Sequence, residues 1–234
     1  MLSQAPLILN KLLETLPIHL RNRLQHSCES VNLKFGSILC EPERPLKYVY
    51  FPLTGFISLV AVVEGHPPLE MGLIGNEGML GATLSLGISN APMRALVQGS
   101  GTALRMKAKH LHQELIASPE LGKILNRYVY VLLAQMTKMT ACIHFHEVEP
   151  RLARWLLMTH DRTQGEQLHL TQDFLANMLG VRRSSVTVAA GNLQERKLIH
   201  YSRGEIIILD RKGLEGAACI CYQTMLQDYK NVLS

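Results

Sequence analysis

Several features that would place this chain in other protein classes are missing from its 234 residues. No apolar run approaches the roughly 20 residues that a membrane-spanning helix needs. The chain also does not open with the basic start and long apolar core of a signal peptide. We therefore expect a cytoplasmic protein without a membrane partner. The five cysteines include no C-x-x-C pair, which argues against a disulfide framework or a zinc knuckle.

Residues that could support catalysis or metal binding are also scarce. His66 is the only histidine between residues 31 and 106, so a cupin-like metalloenzyme would lack its ligands there. Residues 144–149 (HFHEVE) look like a metal-binding run, but helical residues two apart point in different directions. Cys219 and Cys221, two apart in a predicted helix, should diverge in the same way. We expect no catalytic residue, no metal site and no enzyme activity.

Proline and glycine divide the chain, because none of the ten prolines lies beyond Pro150. Residues 32–106 break into short β-rich runs separated by turn signals, which predicts an all-β roll. Residues 4–28 are expected to form short helices that precede the roll. Residues 214–226 form a further helical pattern, which we expect only to pack.

A long helix is predicted after the β-roll. Ser118 is a suitable N-cap, Pro119 suits the first helical position, and Glu120 is favourable near the positive end of the dipole. Spacings of four and three then alternate, as in a two-stranded coiled coil, which predicts a homodimer seam with Gln135 fixing the register. A core helix of a monomer is the alternative that periodicity leaves open. The predicted seam consists of Leu121, Leu125, Tyr128, Leu132, Gln135, Met139 and Cys142.

Residues 172–191 (QDFLANMLGVRRSSVTVAAG) have the spacing of a helix-turn-helix. Ala176 lets the two helices touch, Gly180 turns the chain between them, and Val186 packs the second helix onto the first. Two β-rich runs follow on either side of residues 202–204, which predicts a hairpin wing.

The outer face of the second motif helix points to double-stranded DNA as the partner. It carries short, mostly uncharged side chains, which let a helix backbone enter a major groove. Arg182 and Arg183 lie at its N-terminal end, where such contacts concentrate. A structural hairpin with a solvated arginine pair is the alternative. The predicted DNA-binding residues are Thr171, Gln172, Arg182, Arg183, Ser184, Ser185, Thr187, Val188 and Arg203.

A β-roll, a long helix and a winged helix-turn-helix in this order resemble the Crp–Fnr family of bacterial transcription regulators. The resemblance is strongest over residues 148–209. It implies a homodimer that binds a two-fold DNA site, with RNA polymerase as a further partner. It also implies that Arg183 reads a guanine, because it stands at the position of the family's leading recognition arginine. Val188 replaces a basic residue of the family, which predicts contact with a thymine methyl group.

The β-roll resembles the family's nucleotide-binding cassette over residues 74–81 and 93–97, with departures. Glu77 could take a ribose hydroxyl, but Met93 stands where an arginine would neutralise the phosphate. Arg94, one position on, should point to the opposite face of a strand. We therefore do not expect cyclic AMP. The possible pocket for another effector comprises Glu77, Gly78, Met93 and Arg94.

No cofactor is expected. Cys28 and Cys40 are twelve residues apart without a third cysteine nearby, unlike the iron–sulfur ligands of oxygen-sensing members. His66, His110 and His112 carry no specific sign of haem ligation.

These features predict an α+β fold with a jelly-roll-like N-terminal β-roll and a C-terminal winged helix-turn-helix. The predicted divisions are a β-roll at residues 1–112, a dimerisation helix at 113–147, the DNA-binding domain at 148–214 and a helical tail at 215–234. The predicted function is sequence-specific regulation of transcription, with the β-roll as effector sensor or scaffold. A regulatory subunit acting through protein contacts and a cupin-like metalloenzyme are the alternatives.

Overall fold

The computed structural model describes residues 10–163 and 167–233, with no side chains described for residues 167–169. The helices are α1 (Lys11–Glu14), α2 (Ile18–His26), a 3₁₀ helix (Ala82–Leu86), α3 (Ala108–Ala117), α4 (Pro119–Phe145), α5 (Val148–His160), α6 (Gln172–Leu179), α7 (Arg183–Glu195), α8 (Arg211–Ala217) and α9 (Cys221–Leu233). The strands are β1 (Glu29–Leu33), β2 (Ile38–Cys40), β3 (Tyr48–Pro52), β4 (Phe56–Ala61), β5 (Leu69–Ile74), β6 (Arg94–Gly99), β7 (Gly101–Lys107), β8 (Gln167–His169), β9 (Ile199–Ser202) and β10 (Glu205–Ile208).

Two antiparallel sheets form the predicted β-roll, in the orders β1-β7-β3 and β2-β6-β4-β5. β4 is buried along almost its whole length, because both of its faces are covered. Alternate residues point to opposite faces of a strand, so Ile57 and Leu59 lie in the interior of the roll. Phe56 instead joins the core beneath the C-terminal domain, together with Trp155 of α5. The roll therefore supports the C-terminal domain on its outer surface.

The C-terminal domain combines helices α5 to α8 with a small sheet of order β8-β10-β9. Trp155, Leu156 and Leu157 of α5 are fully buried at its centre. α9 then runs back along α4, and its end reaches the β-roll core through Tyr229 and Leu233. In the described part of the chain, no helix combines the length and the apolar character that crossing a bilayer requires.

The long helix begins at the predicted N-cap, because the side chain of Ser118 accepts a hydrogen bond from the Leu121 amide. The seam prediction, however, is wrong about what covers the apolar face. Leu121 and Tyr128 are fully buried in the β-roll core, while Met139 and Cys142 lie in the core of the C-terminal domain. The residues that face their own chain are Leu121, Leu125, Tyr128, Leu132, Gln135, Met139 and Cys142.

Gln135 illustrates why this face is not available to a partner subunit. It is only 2% exposed, and its Nε2 donates to the hydroxyl of Tyr229 in α9 at 2.6 Å. It therefore holds the C-terminal helix in place and does not set a register between subunits. An apolar stripe at coiled-coil spacing shows which face of a helix is buried. The elements that bury it can belong to the same chain.

The opposite face of α4 remains exposed and has its own alternating spacing of four and three. Tyr130 is 59% exposed and Leu133 is 60% exposed. Thr137 and Thr140 donate their hydroxyls to backbone carbonyls one turn earlier, so their polar atoms are already bonded within the helix. The outward stripe consists of Asn126, Tyr130, Leu133, Thr137 and Thr140.

Candidate nucleic-acid interface and effector cavity

The predicted helix-turn-helix is formed by α6 and α7. Thr171 caps α6 by accepting a hydrogen bond from the Phe174 amide at 3.2 Å. Gly180 has a φ of 63°, a left-handed conformation that ends α6 and that glycine adopts without strain. Ala176 is 6% exposed and Val186 is completely buried. The three positions therefore have the structural roles predicted from their spacing.

The outward face of α7 is open to solvent and carries most of the predicted contacts. Val188 is 64% exposed although it is a large aliphatic residue. Ser185 differs from the other predicted contacts because it is half-buried and lines the cleft between the motif and the β4–β5 connection. The exposed residues of this face are Arg182, Arg183, Ser184, Thr187 and Val188.

Four predicted contacts line one polar concave surface of about 430 Å³, which we call the head groove. Thr171, Gln172, Arg183 and Arg203 line it, the first three from the N-terminal ends of α6 and α7 and Arg203 from the wing. Gln172 accepts a hydrogen bond from the Thr187 hydroxyl at 2.8 Å, which fixes its amide. The groove brings together groups that can bind phosphate and groups that can reach base edges.

One acidic residue also lines the head groove. Asp173 lies 3.6 Å from an Nη of Arg183, and both side chains are about two-thirds exposed. An ion pair in this setting contributes little to stability, because water screens it and both side chains remain mobile. Arg183 is therefore free to exchange Asp173 for an anionic or base-edge acceptor.

The wing is a hairpin whose two-residue turn is Arg203–Gly204. Both residues have positive φ, 50° and 83°, as the mirror-image turns of tight hairpins require. The hydroxyl of Tyr201 donates to the Leu170 carbonyl at 2.9 Å, which ties the wing to the residue before the Thr171 cap. Arg203 is held at the tip, beside the N-terminal end of α6.

Comparisons with known proteins agree with this geometry. A family profile described as a Crp-like helix-turn-helix domain matches residues 150–217. The chain is 27% identical over 198 residues to the transcriptional regulator SdrP of Thermus thermophilus, covering 81% of this chain and 94% of that protein. It is 25% identical over 178 residues to the global nitrogen regulator of a Nostoc species, covering 71% of this chain and 79% of that protein.

Solved structures of this architecture extend the likeness to the whole arrangement of domains. A Crp/FNR-family regulator from Thermus thermophilus superposes with a TM-score of 0.65 at 26% identity, covering 81% of this chain and 98% of that one. FixK2 from Bradyrhizobium japonicum gives a TM-score of 0.68 at 13% identity, covering 82% and 98% of the two chains. The chain is a DNA-binding transcription regulator that carries a Crp-like helix-turn-helix domain and is similar in fold to Crp/FNR-family proteins.

The four residues predicted for an effector pocket of this regulator do not meet in one place. Glu77 accepts hydrogen bonds from Nε and an Nη of Arg162, at 2.9 and 2.7 Å, in an ion pair that is almost fully buried. Arg94 pairs with Glu41 at 2.9 Å. A side chain at Gly78 would collide with the Tyr128 hydroxyl. Predicting one pocket from all four was wrong, because Glu77 is already paired with a residue that follows α5.

Met93 alone of the four lines a cavity of about 210 Å³ between the β-roll and α4. We call this the roll cavity. His66, His110 and His112, the histidines considered and not favoured as haem ligands, do not line it. Its wall is formed almost entirely by apolar side chains. They include Leu59, Ile74, Met79, Leu80, Met93, Val129, Leu132, Leu133 and Met136.

A buried polar network joins the β-roll to the C-terminal domain. Glu70 of β5 accepts hydrogen bonds from Trp155 Nε1 at 2.8 Å and from the Ser58 hydroxyl at 2.7 Å. Ser58 also lies 2.6 Å from the side-chain oxygen of Gln98. Loss of water around Glu70 raises the pKa of its carboxyl to about 7, against the lowering effect of these bonds and of two arginines. A protonated Glu70 carboxyl would donate a hydrogen bond to the Ser58 oxygen, and the Ser58 hydroxyl would then donate to the side-chain oxygen of Gln98.

The cysteine prediction was wrong for Cys219 and Cys221. α8 ends at Ala217 with extended backbone at Ala218, and α9 begins only at Cys221, so the pair is not within one helix. Both thiols turn inward towards Cys142 and His146, whereas Ile220 between them is 65% exposed. Sequence reasoning missed this group because it placed the tail in a continuous helix.

Proposed function

We propose that this regulator binds a two-fold DNA site as a cytoplasmic homodimer and has no enzymatic role. The observation that carries the proposal is the head groove, where Thr171, Gln172, Arg183 and Arg203 converge beside an exposed helix face. A two-fold dimer would present two such grooves to successive major grooves of one duplex. RNA polymerase is the further partner expected of a regulator that acts at promoters.

The dimer contact in this proposal is the outward stripe of α4. Tyr130 and Leu133 expose large apolar side chains at coiled-coil spacing. The 3₁₀ helix packs against α4, and Leu86 and Ile88 at its end are 50% and 53% exposed. Together these residues supply an apolar strip that a second copy of the chain would bury.

The roll cavity supports an uncharged, largely apolar effector. Met93 and its neighbours place no cation in the lining, so an anionic ligand would lose its hydration without gaining a partner. Leu133 lines the cavity and also stands in the outward stripe of α4. A ligand there would act on the dimer contact, and through it on the spacing of the two heads. A β-roll that serves only as a scaffold is the alternative.

The base-reading role is tested by two substitutions at the head groove. Arg183→Ala should weaken binding to the preferred operator about 10- to 100-fold and should leave random DNA much less affected. Arg203→Ala should weaken binding to all sequences alike and reduce its dependence on salt concentration. Operators selected from a random library give the preferred site, and fluorescence anisotropy measures both affinities. Equal losses of Arg183→Ala on cognate and random DNA would overturn the role.

A further inference from the structure

Four potential metal ligands converge where α4 meets the C-terminal tail. Cys142 and His146 stand one helical turn apart at the end of α4, and Cys219 and Cys221 face them from the break between α8 and α9. One ligand atom of each residue lies within 4.8 Å of all the others. The three thiols are at least 92% buried and the histidine is half-buried.

We propose that these four side chains bind one Zn²⁺ ion in a tetrahedral site of three cysteines and one histidine. The Sγ atoms of Cys142 and Cys219 are 3.5 Å apart, and Sγ of Cys221 lies 3.6 Å from Nδ1 of His146. Zinc–sulfur bonds of about 2.3 Å and zinc–nitrogen bonds of about 2.0 Å place neighbouring ligand atoms about 3.5–3.8 Å apart. The two observed separations match edges of that tetrahedron.

The donor set selects a thiophilic ion. Thiolate and imidazole ligands in tetrahedral arrangement are typical of structural zinc, whereas carboxylates and carbonyls suit magnesium and calcium. An iron–sulfur cluster places several irons and bridging sulfides between its cysteines. Ligand atoms that all lie within 4.8 Å of one another leave room for a single ion only.

A buried arginine provides the second, independent observation. Arg154 is 1% exposed and forms no ion pair with a carboxylate among the described residues. Its Nη atoms contact the sulfurs of Met158 and Met139 at 3.1 and 3.2 Å, and its Nε has no partner in that part of the chain. A buried cation without a hydrogen-bonded anion is strongly unfavourable.

Metal binding would supply that missing anion. When Zn²⁺ binds, the three thiols release their protons, so three thiolates and one neutral imidazole around the ion carry one net negative charge. Arg154 contacts Met139, which lies one helical turn before Cys142 on the buried face of α4. The charge of the guanidinium would therefore be balanced by the zinc complex. Glu70 is a buried carboxyl whose pKa is raised by burial and lowered in part by the charge of Arg154, but its hydrogen bonds go to Trp155 and Ser58 and not to Arg154.

The zinc site would connect the end of the long helix α4 to the C-terminal DNA-binding domain. α4 ends at Phe145 and α5 begins at Val148, while the Cys219 amide donates to the Pro150 carbonyl at 3.3 Å. One ion would thus connect the end of α4, the start of α5 and the tail. Zinc binding would then be coupled to folding of the tail and would fix the direction in which the head leaves α4.

The remaining two cysteines provide matched controls. Cys28 is half-buried just before β1 and belongs to no group of three or more potential metal ligands among the described residues. Cys40 lies in the β-roll, and burial raises the pKa of its thiol. Cys28→Ser and Cys40→Ser should leave metal content unchanged.

The test is to purify the full-length protein under reducing conditions and to measure its metal content by inductively coupled plasma mass spectrometry. We expect one zinc per chain in the unsubstituted protein and less than a tenth of that after Cys142→Ser or His146→Gln. His146 is half-buried, so its substitution should not unfold the chain, and circular dichroism checks this. Substituting Co²⁺ for zinc should give the intense visible absorption of a tetrahedral thiolate site.

Three results would overturn the proposal. The first is unsubstituted protein that contains no zinc and gains no such absorption when titrated with Co²⁺. The second is zinc that remains after Cys142→Ser but is lost after Cys28→Ser. The third is an intact mass that shows a Cys142–Cys219 disulfide in protein purified under reducing conditions. None of these depends on DNA binding, so the proposal stands or falls separately from the function proposed above.

Discussion

The head groove and the roll cavity, the two surfaces prepared for ligands, differ in almost every physical respect. The groove is polar and open, and its residues come from one supersecondary motif, with Arg183 and Arg203 as its cations. The cavity is apolar and is lined by residues from several strands, the 3₁₀ helix and α4. A charged, hydrated polymer suits the first surface, and a small uncharged molecule suits the second. The contrast separates the partner that the chain reads from the ligand that could regulate it.

Separating the two subunits of the proposed dimer should have the largest effect, because it acts on both surfaces. Leu133→Glu would place a charge in the outward stripe of α4 and should convert the dimer to monomer. Operator affinity should then fall about 100- to 10,000-fold, since the second head no longer binds at high effective concentration. Analytical ultracentrifugation and anisotropy measure the two effects. Ile116→Glu is the matched control, because Ile116 is 72% exposed on α3 and is not part of the stripe. A Leu133→Glu protein that remains dimeric would contradict this dimer contact.

The pH dependence of the free energy of unfolding should report on Glu70, which joins the β-roll to the C-terminal domain. The pKa of Glu70 is raised from 4.5 to about 7 in the folded protein, so the folded state holds a proton that the unfolded state has lost between these values. Stability should therefore be greatest below pH 4.5 as far as this group is concerned, fall as the pH rises towards 7, and then level off. The loss should be about 3 kcal/mol.

Glu70→Gln should remove this part of the pH dependence, because an amide keeps the bond from Trp155 without carrying a charge. The measurement is urea unfolding of the unsubstituted protein and the variant at several pH values. Glu64→Gln, an exposed change on the same β4–β5 connection, is the control and should leave the curve unchanged. A Glu70→Gln curve that parallels that of the unsubstituted protein would show that Glu70 keeps an ordinary pKa.

Ligand preference provides a direct comparison of the two surfaces. A neutral apolar dye should bind in the roll cavity, and at 100 times its Kd a ligand of this kind should stabilise the fold by about 2.7 kcal/mol. Cyclic AMP should give no thermal shift, because no cation among the described residues lines the cavity to receive its phosphate. Leu132→Trp should fill the cavity and remove dye binding. A thermal shift with cyclic AMP and none with the dye would reverse this assignment.

Sequence reasoning succeeded where function depends on local spacing. Ala176, Gly180 and Val186 are close in the chain, and helical geometry alone determines how they meet. It failed where a distant element supplies the neighbour. The stripe that contains Leu121 is apolar because the β-roll covers it, and Glu77 is occupied because Arg162 reaches it from beyond α5.

The cysteine cluster could have been found only in part. Cys142 and His146 are four residues apart, the spacing that puts two ligands on one helical face, and this signal was available. The position of Cys219 depended on recognising that α8 stops at Ala217. No glycine or proline lies within the break at residues 218–220, and Gly213 and Gly216 lie inside α8, so the tail looked like one continuous helix.

The smallest effect on DNA affinity is expected from the loss of one positive charge at the wing. Arg203→Ala should reduce the slope of log affinity against log salt concentration by about 1, because one phosphate contact is lost. Arg183→Ala on the preferred operator should show a larger loss of affinity that depends on one base position. Anisotropy titrations over a range of salt concentrations measure both slopes. Identical behaviour of the two variants would remove the distinction between wing and recognition helix.

At the wing tip, the stability of the hairpin and the affinity for DNA favour different residues. Arg203 has a φ of 50°, a conformation that asparagine and glycine adopt more readily than arginine. Replacing it with asparagine should make the hairpin more stable and at the same time remove a cation from the DNA side of the head. If Arg203 contacts DNA as proposed, the chain keeps a residue that is unfavourable for folding at the place where it is useful for binding. A thermostable engineered form of this regulator would be expected to bind DNA less tightly if its wing were optimised for stability alone.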